Sequence, residues 1–229
     1  MTNRPTLGML QLAHTPVRLP GAISNPATYD FPVRYQQVPG AWTSNVIGPD
    51  DVIHEAYIAA ARGMEKDGVA AITSNCGFTA RFQKDVAASV SIPVALSSLL
   101  LAPFVLSIIP PGSTLAILTF DATRLTSAHC EAAGFSLSHS PVAVAGVEGT
   151  ESWRAMCRPA NDVTMADLEH DVMGALDRLR AEHEDIRAVL LECAVFPIVA
   201  DVIRRRTGLP VFDFLSLADI VMASIAHAR

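Results

Sequence analysis

Charged side chains are scarce in this sequence, and basic side chains are scarcer than acidic ones. Of its 229 residues 17% are charged, with 17 Lys and Arg against 23 Asp and Glu, and the net charge is −6. Half of the residues are apolar, which excludes a disordered chain because such chains combine low hydrophobicity with many charges. The acidic balance argues against nucleic acid as a partner, since polyanions bind to basic surfaces.

Cysteine is also scarce, and the usual motifs for metals and cofactors are missing. Four cysteines argue against a disulfide scaffold, because a chain of this length can bury a core of its own. The sequence has no CxxC, no HExxH and no Cys/His cluster with zinc spacing. Neither GxGxxG nor a P-loop follows any apolar run. We therefore predict that the protein uses no metal and no cofactor.

Segments typical of a signal peptide or a membrane helix are missing as well. The first 15 residues carry one Arg and an apolar run over Leu7–Leu12 that is too short for the core of a signal peptide followed by a small-residue cleavage site. The stretch from Val86 to Phe120 has no charged residue, but prolines at 93, 103, 110 and 111 divide it into pieces of strand and helix length. The sequence therefore predicts a cytoplasmic protein without a membrane partner.

What the sequence does contain is an alternation of short apolar runs with longer amphipathic segments. This pattern is typical of the α/β class, in which helices cover both faces of a parallel sheet. Helices are predicted at 50–66, ended by Gly68, and at 167–180. The proline-rich segment 13–32 has no period and is predicted to be a loop that covers a site. The predicted strands are Thr6–Leu12, Val69–Ser74, Pro93–Leu96, Thr114–Phe120, Val142–Val147, Ile186–Leu191 and Pro210–Phe214.

The two halves of the chain form a weak internal repeat. Cys76 is followed 17 residues later by Pro93-Val94, and Cys193 is followed 17 residues later by Pro210-Val211. Each cysteine ends an apolar run, so the order in both halves is helix, strand, cysteine, helix and next strand. The repeat predicts two pseudo-symmetric α/β lobes with one cysteine at the same point of each.

Cys76 and Cys193 are the candidate catalytic residues. Ligands of open α/β sheets lie at the carboxyl ends of the strands, where both cysteines are predicted. Free backbone N–H groups at a following helix are expected to lower the pKa of a thiol toward neutrality. If the two lobes face each other, one sulfur can take a proton from a carbon while the other returns one to the opposite face.

The remaining candidates are polar groups near these strand ends and the two other cysteines. Ser74, Asn75 and Thr119 could donate hydrogen bonds to a developing enolate. His14, after the first strand, is the best-placed histidine for a Cys-His pair, although a loop histidine in water explains it too. Cys130 and Cys157 lie in helix-like stretches without repeat partners, and we interpret them as packing residues.

Two segments resemble the aspartate/glutamate/hydantoin racemase superfamily: Thr73-Ser74-Asn75-Cys76-Gly77-Phe78 and Leu191-Glu192-Cys193-Ala194-Val195-Phe196-Pro197. The resemblance covers nearly the whole chain. It implies two flavodoxin-like lobes with the active site between them, no cofactor, and Cys76 and Cys193 as the two bases. It also implies that the segment after Pro210 packs on the first lobe, which divides the chain into 1–98 plus 213–229 and 99–212.

The departures from glutamate racemases concern the substrate. Those enzymes carry Cys-Thr-His-Tyr-Pro at the second site, where this chain has Ala194 and Val195 after the cysteine, and their Asp-Ser-Gly motif is absent here. Together with the long first loop and the flanking Phe78 and Phe196, these residues favour a less polar ligand than glutamate, such as a hydantoin or a substituted acid.

These observations lead to three hypotheses about function. The first is a cofactor-independent racemase or epimerase that inverts an acidic carbon next to a carbonyl of a small carboxylate or hydantoin-like substrate, with Cys76 and Cys193 as alternating base and acid. The second is a maleate-type cis-trans isomerase or a decarboxylase with one essential cysteine. The third is a two-lobed binding protein without turnover. A homodimer is expected only because two-fold dimers are common.

Overall fold

The computed structural model describes residues 4–48 and 52–225, and in this part the chain alternates between strands and helices. The predicted helix start at Asp50 and Asp51 lies outside the described residues, as do residues 1–3 and 226–229 of the predicted first lobe. The strands are β1 Leu7–Gln11, β2 Val33–Gln37, β3 Ala71–Ser74, β4 Val94–Ala95, β5 Thr114–Thr119, β6 Val142–Gly146, β7 Ile186–Leu191 and β8 Val211–Phe212. The α-helices are α1 Thr43–Val46, α2 His54–Lys66, α3 Gln83–Ala88, α4 Ala102–Ile108, α5 Ser127–Ala132, α6 Glu151–Cys157, α7 Met165–Glu182, α8 Ala200–Thr207 and α9 Phe214–Ile225.

The strands form two four-stranded parallel sheets with the same order. The first sheet has the order β2-β1-β3-β4 and the second the order β6-β5-β7-β8. The strand that comes first in each half of the chain, β1 or β5, is an inner strand of its sheet. Both of these strands are buried over their whole lengths. The predicted α/β class and the two-lobed repeat are confirmed. The exact division of the chain into lobes stays a prediction.

All seven predicted strands are present, each equal to or one to three residues shorter than its apolar run. The eighth strand, β2, was not predicted. Its sequence Val-Arg-Tyr-Gln-Gln has one aliphatic residue, and its side chains are only half-buried or exposed. It lies at the edge of the first sheet and pairs with β1 alone. An edge strand needs no apolar face on both sides, so a search for apolar runs passes over it.

The two predicted helices begin and end close to the expected residues. Helix α2 ends before Gly68, which has φ +81° and donates its N–H to the carbonyl of Glu65 at 2.9 Å. Helix α7 is longer than predicted, because Thr164 caps it by accepting the N–H of Asp167 at 3.2 Å. A left-handed residue at the end and a hydroxyl cap at the start are the usual terminal signals of helices.

The uncharged stretch from Val86 to Phe120 folds into short elements, including β4, α4 and β5. Within 4–48 and 52–225, no helix has both the length and the apolar character needed to cross a bilayer. The last helix, α9, packs on β3 and β4 of the first sheet, where Ala218 and Met222 cluster with Leu7 and Ala71. The end of the described chain therefore returns to the first sheet, as the resemblance implied.

The core of the second sheet provides a test of the fold. We expect Leu190→Ala, which truncates a fully buried side chain of β7, to lower the free energy of unfolding by about 2 to 5 kcal/mol, because it removes buried methyl groups and leaves a cavity. The matched control Ile220→Ala removes an aliphatic side chain that is 52% exposed, and its effect should stay within about 0.5 kcal/mol. Urea denaturation followed by circular dichroism measures both. Equal losses in the two variants would contradict the placement of β7.

Candidate active site

Cys76 lies two residues after the end of β3 and directly precedes the 3-10 helix Gly77–Phe82. The backbone N–H of Cys76 donates to the hydroxyl of Ser74 at 3.3 Å, which fixes the turn out of the strand. The backbone N–H groups of Phe78 and Thr79 are directed at the Cys76 sulfur. The sulfur therefore lies where the sheet ends and the helix begins, as the repeat predicted.

Cys193 occupies the same position in the second lobe. It follows β7, and the 3-10 helix Phe196–Val199 begins three residues later. The backbone N–H groups of Val195 and Phe196 are directed at the Cys193 sulfur. Each lobe thus presents one thiol with two backbone N–H groups behind it, and the two sites are equivalent in the fold.

Both cysteines line a single cleft between the two sheets. Each is 8% exposed, and the cleft holds about 440 Å3 of space unfilled by protein atoms, its open mouth included. The lobes meet beside it through Ser98, whose hydroxyl donates to the carbonyl of Leu191 at 2.8 Å. The lining residues are Leu12, His14, Thr43, Ile47, Asn75, Cys76, Gly77, Phe78, Phe120, Met156, Asn161, Glu192, Cys193, Ala194 and Val195.

Glu192 is the charged residue of this cleft, and the sequence analysis gave it no role. Its side chain is fully buried. One carboxylate oxygen, Oε2, accepts the hydroxyl of Thr119 at 2.7 Å, whereas the other, Oε1, is buried without a hydrogen-bond partner. Burial raises the pKa of Glu192 to about 7. An acidic residue directly before a candidate catalytic cysteine was the sequence signal that could have identified it.

Gly77 is required where the two lobes touch. A Cβ atom at this position would overlap with both Oε1 and the backbone carbonyl of Glu192. The neighbouring Phe78 makes an edge-to-face contact across the interface with His129 of α5, with ring centroids 5.2 Å apart. Only a residue without a side chain allows the turn after β3 to approach the end of β7 so closely.

The expected lowering of the thiol pKa values is wrong. Burial, followed by the charge of Glu192, raises the pKa of Cys76 to about 12. The same two causes raise the pKa of Cys193. The backbone N–H groups do act in the predicted direction, but desolvation of a buried thiolate outweighs them.

Six of the predicted ligand-binding residues line the cleft: His14, Asn75, Gly77, Phe78, Ala194 and Val195. Asn75 accepts the backbone N–H of Leu12 through Oδ1 at 2.8 Å. His14 lies 3.0 Å from the Thr43 hydroxyl through Nε2, and burial lowers the pKa of its imidazole. No contact joins His14 to either sulfur, so the predicted Cys-His pair is not formed by this geometry.

Ser74 and Thr119 lie behind the cleft and do not line it, contrary to their predicted role as donors to the substrate. Both are fully buried. Ser74 donates to the carbonyl of Leu96 at 2.7 Å and lies 2.7 Å from the hydroxyl of Thr79. Thr119 donates to Glu192. These hydroxyl groups hold the residues that face the cleft.

The two other cysteines differ from each other. Cys130 is fully buried in α5, which confirms the packing interpretation. Cys157 is exposed at the end of α6, so that interpretation is wrong for it. The helical pattern that suggested burial places the sulfur on the outer face of a short helix.

The proline-rich loop 13–32 covers one end of the cleft, as predicted. Its residues Pro16, Val17, Ala22, Ile23 and Ser24 line a smaller cavity that continues from the cleft. The loop is joined to the second lobe by the N–H of Thr15, which donates to the carbonyl of Pro159 at 3.3 Å. Asn161, which lines both cavities, has a left-handed backbone with φ 47°. The sequence analysis missed it, because a single Asn in a loop carries no pattern.

Comparison with curated proteins gives relatives of one kind. The chain is 31% identical over 222 residues to a dimethylsulfoniopropionate lyase of Durusdinium sp. clade D, covering 93% of this chain and 73% of that protein. It is 28% identical over 235 residues to dimethylsulfoniopropionate lyase 6 of Emiliania huxleyi (strain CCMP1516), covering 98% of this chain and 61% of that protein. The chain thus spans less than two thirds of the Emiliania protein. No model of a known protein family matches the chain.

Comparison with solved structures identifies the fold. A mutant of arylmalonate decarboxylase in a sulfate-associated form superposes with a TM-score of 0.64 at 19% identity, covering 98% of this chain and 96% of that one. A glutamate racemase of Bacillus anthracis superposes with a TM-score of 0.59 at 13% identity, covering 98% and 85%. The predicted resemblance to the aspartate/glutamate/hydantoin racemase superfamily is confirmed at the level of the fold.

The predicted isomerase activity is wrong. The sequence relatives are lyases, and the racemases among the structural neighbours share less than 25% identity and bear on the fold alone. Paired cysteines in a two-lobed cleft do not by themselves distinguish the removal and return of a proton from its removal followed by loss of a leaving group. The error therefore lies in the reaction class.

Replacement of Gly77 tests the contact between the lobes. We expect Gly77→Ala to lower the melting temperature by several degrees or to prevent folding, since the added methyl group overlaps with a backbone carbonyl that cannot turn away. The control Gly174→Ala lies within helix α7, where the added Cβ would make only an ordinary contact of 3.9 Å with the Arg178 side chain, and it should raise stability by about 0.5 to 1 kcal/mol through helix propensity. Differential scanning fluorimetry measures both. A Gly77 variant as stable as the wild type would disprove the close approach.

Alkylation rates test the state of the thiols. At pH 7.5 we expect iodoacetamide to modify Cys157 first, because it is exposed. Cys76 and Cys193 should react slowly until the protein is unfolded, since they are buried and their pKa values are raised. Peptide mapping by mass spectrometry at timed intervals gives the rates. Faster labelling of Cys76 or Cys193 than of Cys157 would indicate a thiolate in the free protein.

Proposed function

The chain belongs to the dimethylsulfoniopropionate lyase family, and on this premise we propose that it cleaves a small β-sulfonio carboxylate, such as dimethylsulfoniopropionate, into dimethyl sulfide and acrylate. The observation that carries this proposal is the 31% identity to a lyase of that name over 93% of the chain. The position of Cys76 and Cys193 at equivalent strand ends in one cleft supports it.

The charges of the cleft agree with such a substrate. Among the described residues that line it there is one carboxyl group, that of Glu192, and no Lys or Arg. A dicarboxylate would have no cation to pair with there, whereas a substrate with a sulfonium group brings its own positive charge. The substrate's carboxylate can accept a hydrogen bond from the amide nitrogen of Asn75, whose Oδ1 is already held by Leu12.

The proposed reaction is an elimination. The thiolate of Cys76 removes a proton from the carbon next to the carboxylate, a carbon–carbon double bond forms, and the bond from the neighbouring carbon to sulfur breaks. Dimethyl sulfide leaves with the electron pair, and the proton stays on Cys76 until it passes to solvent. We assign the base to Cys76 because it directly follows Asn75, the proposed partner of the substrate's carboxylate, so the carbon next to that carboxylate would lie on the Cys76 side of the cleft. Cys193 remains a thiol and donates a hydrogen bond to the charge that develops on the carboxylate.

Cysteine replacement tests the proposal. We expect purified wild-type protein to release dimethyl sulfide and acrylate in equal amounts from dimethylsulfoniopropionate, measured by headspace gas chromatography and liquid chromatography. Cys76→Ala and Cys193→Ala should each lower the rate by about 100-fold or more, the usual contribution of a positioned acid or base. Cys193→Ser should keep more activity than Cys76→Ser, because a hydroxyl group donates a hydrogen bond but is a poor base at neutral pH.

The matched control is Cys157→Ser, which changes an exposed cysteine that does not line the cleft and should leave the rate unchanged. Wild-type protein that is folded and releases no dimethyl sulfide would overturn the proposed function. Unchanged release in both alanine variants would instead exclude the two cysteines as its catalytic residues.

A further inference from the structure

We propose that Glu192 is the residue that recognises the positive charge of the substrate, so that the cleft selects cationic acids over neutral acids of the same shape. The identity of the cation, a sulfonium group, rests on the proposed function. The assignment of Glu192 as the residue that binds it rests on the geometry of the cleft. Glu192 would then determine specificity, while the two cysteines perform the chemistry.

Only one of the two carboxylate oxygens of Glu192 accepts a hydrogen bond from another side chain. Oε2 accepts the Thr119 hydroxyl at 2.7 Å, and this bond fixes the side chain against the end of β5. Oε1 is buried beside Gly77 and has no hydrogen-bond partner. Buried polar atoms are nearly always paired, and an unpaired carboxylate oxygen in the wall of a ligand cleft is explained by a partner that arrives with the ligand.

No protein cation compensates this carboxyl group among the described lining residues. Of the two histidines nearby, His14 lines the cleft and His129 contacts Phe78. Burial lowers the pKa of both imidazoles, that of His129 to about 4, so both are neutral at pH 7. A buried carboxylate without a counterion costs free energy, and a bound cation recovers that cost. The charge of the Glu192 carboxylate is therefore neutralised only when a cation binds in the cleft.

Aromatic rings complete the surroundings of a sulfonium or ammonium group. Phe78 and Phe120 line the same cleft, and Phe120 is stacked on Trp153 with ring centroids 5.9 Å apart. Faces of aromatic rings attract cations that carry methyl groups, and they do so without the water that a small inorganic cation would retain. Glu192 with these rings is suited to an organic onium group rather than to a metal ion.

The same arrangement couples substrate charge to thiol chemistry. The negative charge of Glu192 opposes ionisation of both Cys76 and Cys193. A cation bound against Glu192 cancels that charge, so a thiolate forms more readily when the substrate is bound than when it is not. A neutral acid of the same shape would leave the thiols protonated.

Two ligands that differ in charge alone test the proposal by binding. 3-(Trimethylammonio)propanoate carries a cationic group that does not leave readily, and 4,4-dimethylpentanoate is its isostere with an uncharged tert-butyl group in place of the cation. By isothermal titration calorimetry at pH 8, we expect wild-type protein to bind the cationic ligand about 10- to 100-fold more tightly than the neutral one. Glu192→Gln keeps the shape of the side chain and the bond from Thr119, and it should reduce this ratio to near one.

The control Glu131→Gln removes the same charge from an exposed position on α5 and should keep the wild-type ratio. If Glu192→Gln fails to fold, the wild-type protein alone still tests the proposal through pH. We expect the preference for the cation to grow from pH 6 to pH 8 as Glu192, with its pKa raised to about 7, becomes ionised. The other groups around it are the thiols of Cys76, Cys193 and Cys130, with raised pKa values, and His14 and His129, with lowered ones.

A wild-type ratio near one, failure to bind the cationic ligand, or a preference retained by a folded Glu192→Gln variant would each overturn the proposal. These outcomes are independent of turnover. Protein that prefers the cation through Glu192 but releases no dimethyl sulfide would refute the lyase function and leave the recognition residue in place. Protein that cleaves dimethylsulfoniopropionate without preferring the cationic ligand would do the reverse.

Discussion

The contact between Gly77 and Glu192 is the constraint on which the arrangement of the site depends. Here the turn after β3 packs against the residue that follows β7, with no space for a Cβ atom between them. Because each cysteine is the immediate neighbour of one of these two residues, the separation of the two lobes at this contact also fixes the position of the two sulfurs. The edge-to-face pair of Phe78 and His129 and the bond from Ser98 to Leu191 maintain the contact on either side.

Duplication of one sheet order explains why such a contact can exist. In both lobes the third strand of the half lies next to the central strand, and a 3-10 helix follows it after one cysteine. Two lobes of this kind bring the same strand ends together when they face each other. The buried hydroxyl groups of Ser74 and Thr119 are used to brace those ends rather than to touch a ligand.

Much of the fold could be predicted from the sequence because the central strands are buried on both faces and therefore read as continuous apolar runs. The edge strand Val33–Gln37 could not, since its half-exposed polar residues resemble a loop. The cysteine pair was found through its spacing. The direction of the thiol pKa shifts was not, because backbone N–H groups follow from local sequence whereas the burial of a thiol and the approach of Glu192 are products of tertiary packing. The reaction class was missed because racemisation and elimination begin with the same removal of a proton by the same type of residue.

The symmetry of the two lobes is broken at the residue before each cysteine. Asn75 precedes Cys76 and Glu192 precedes Cys193, so equivalent positions carry an amide in one lobe and a carboxyl group in the other. The cleft between the two symmetric lobes is therefore polar, with an amide on one side and a carboxyl group on the other. A dipolar molecule that enters it is favoured in one orientation, with its positive end toward the second lobe and its negative end toward the first.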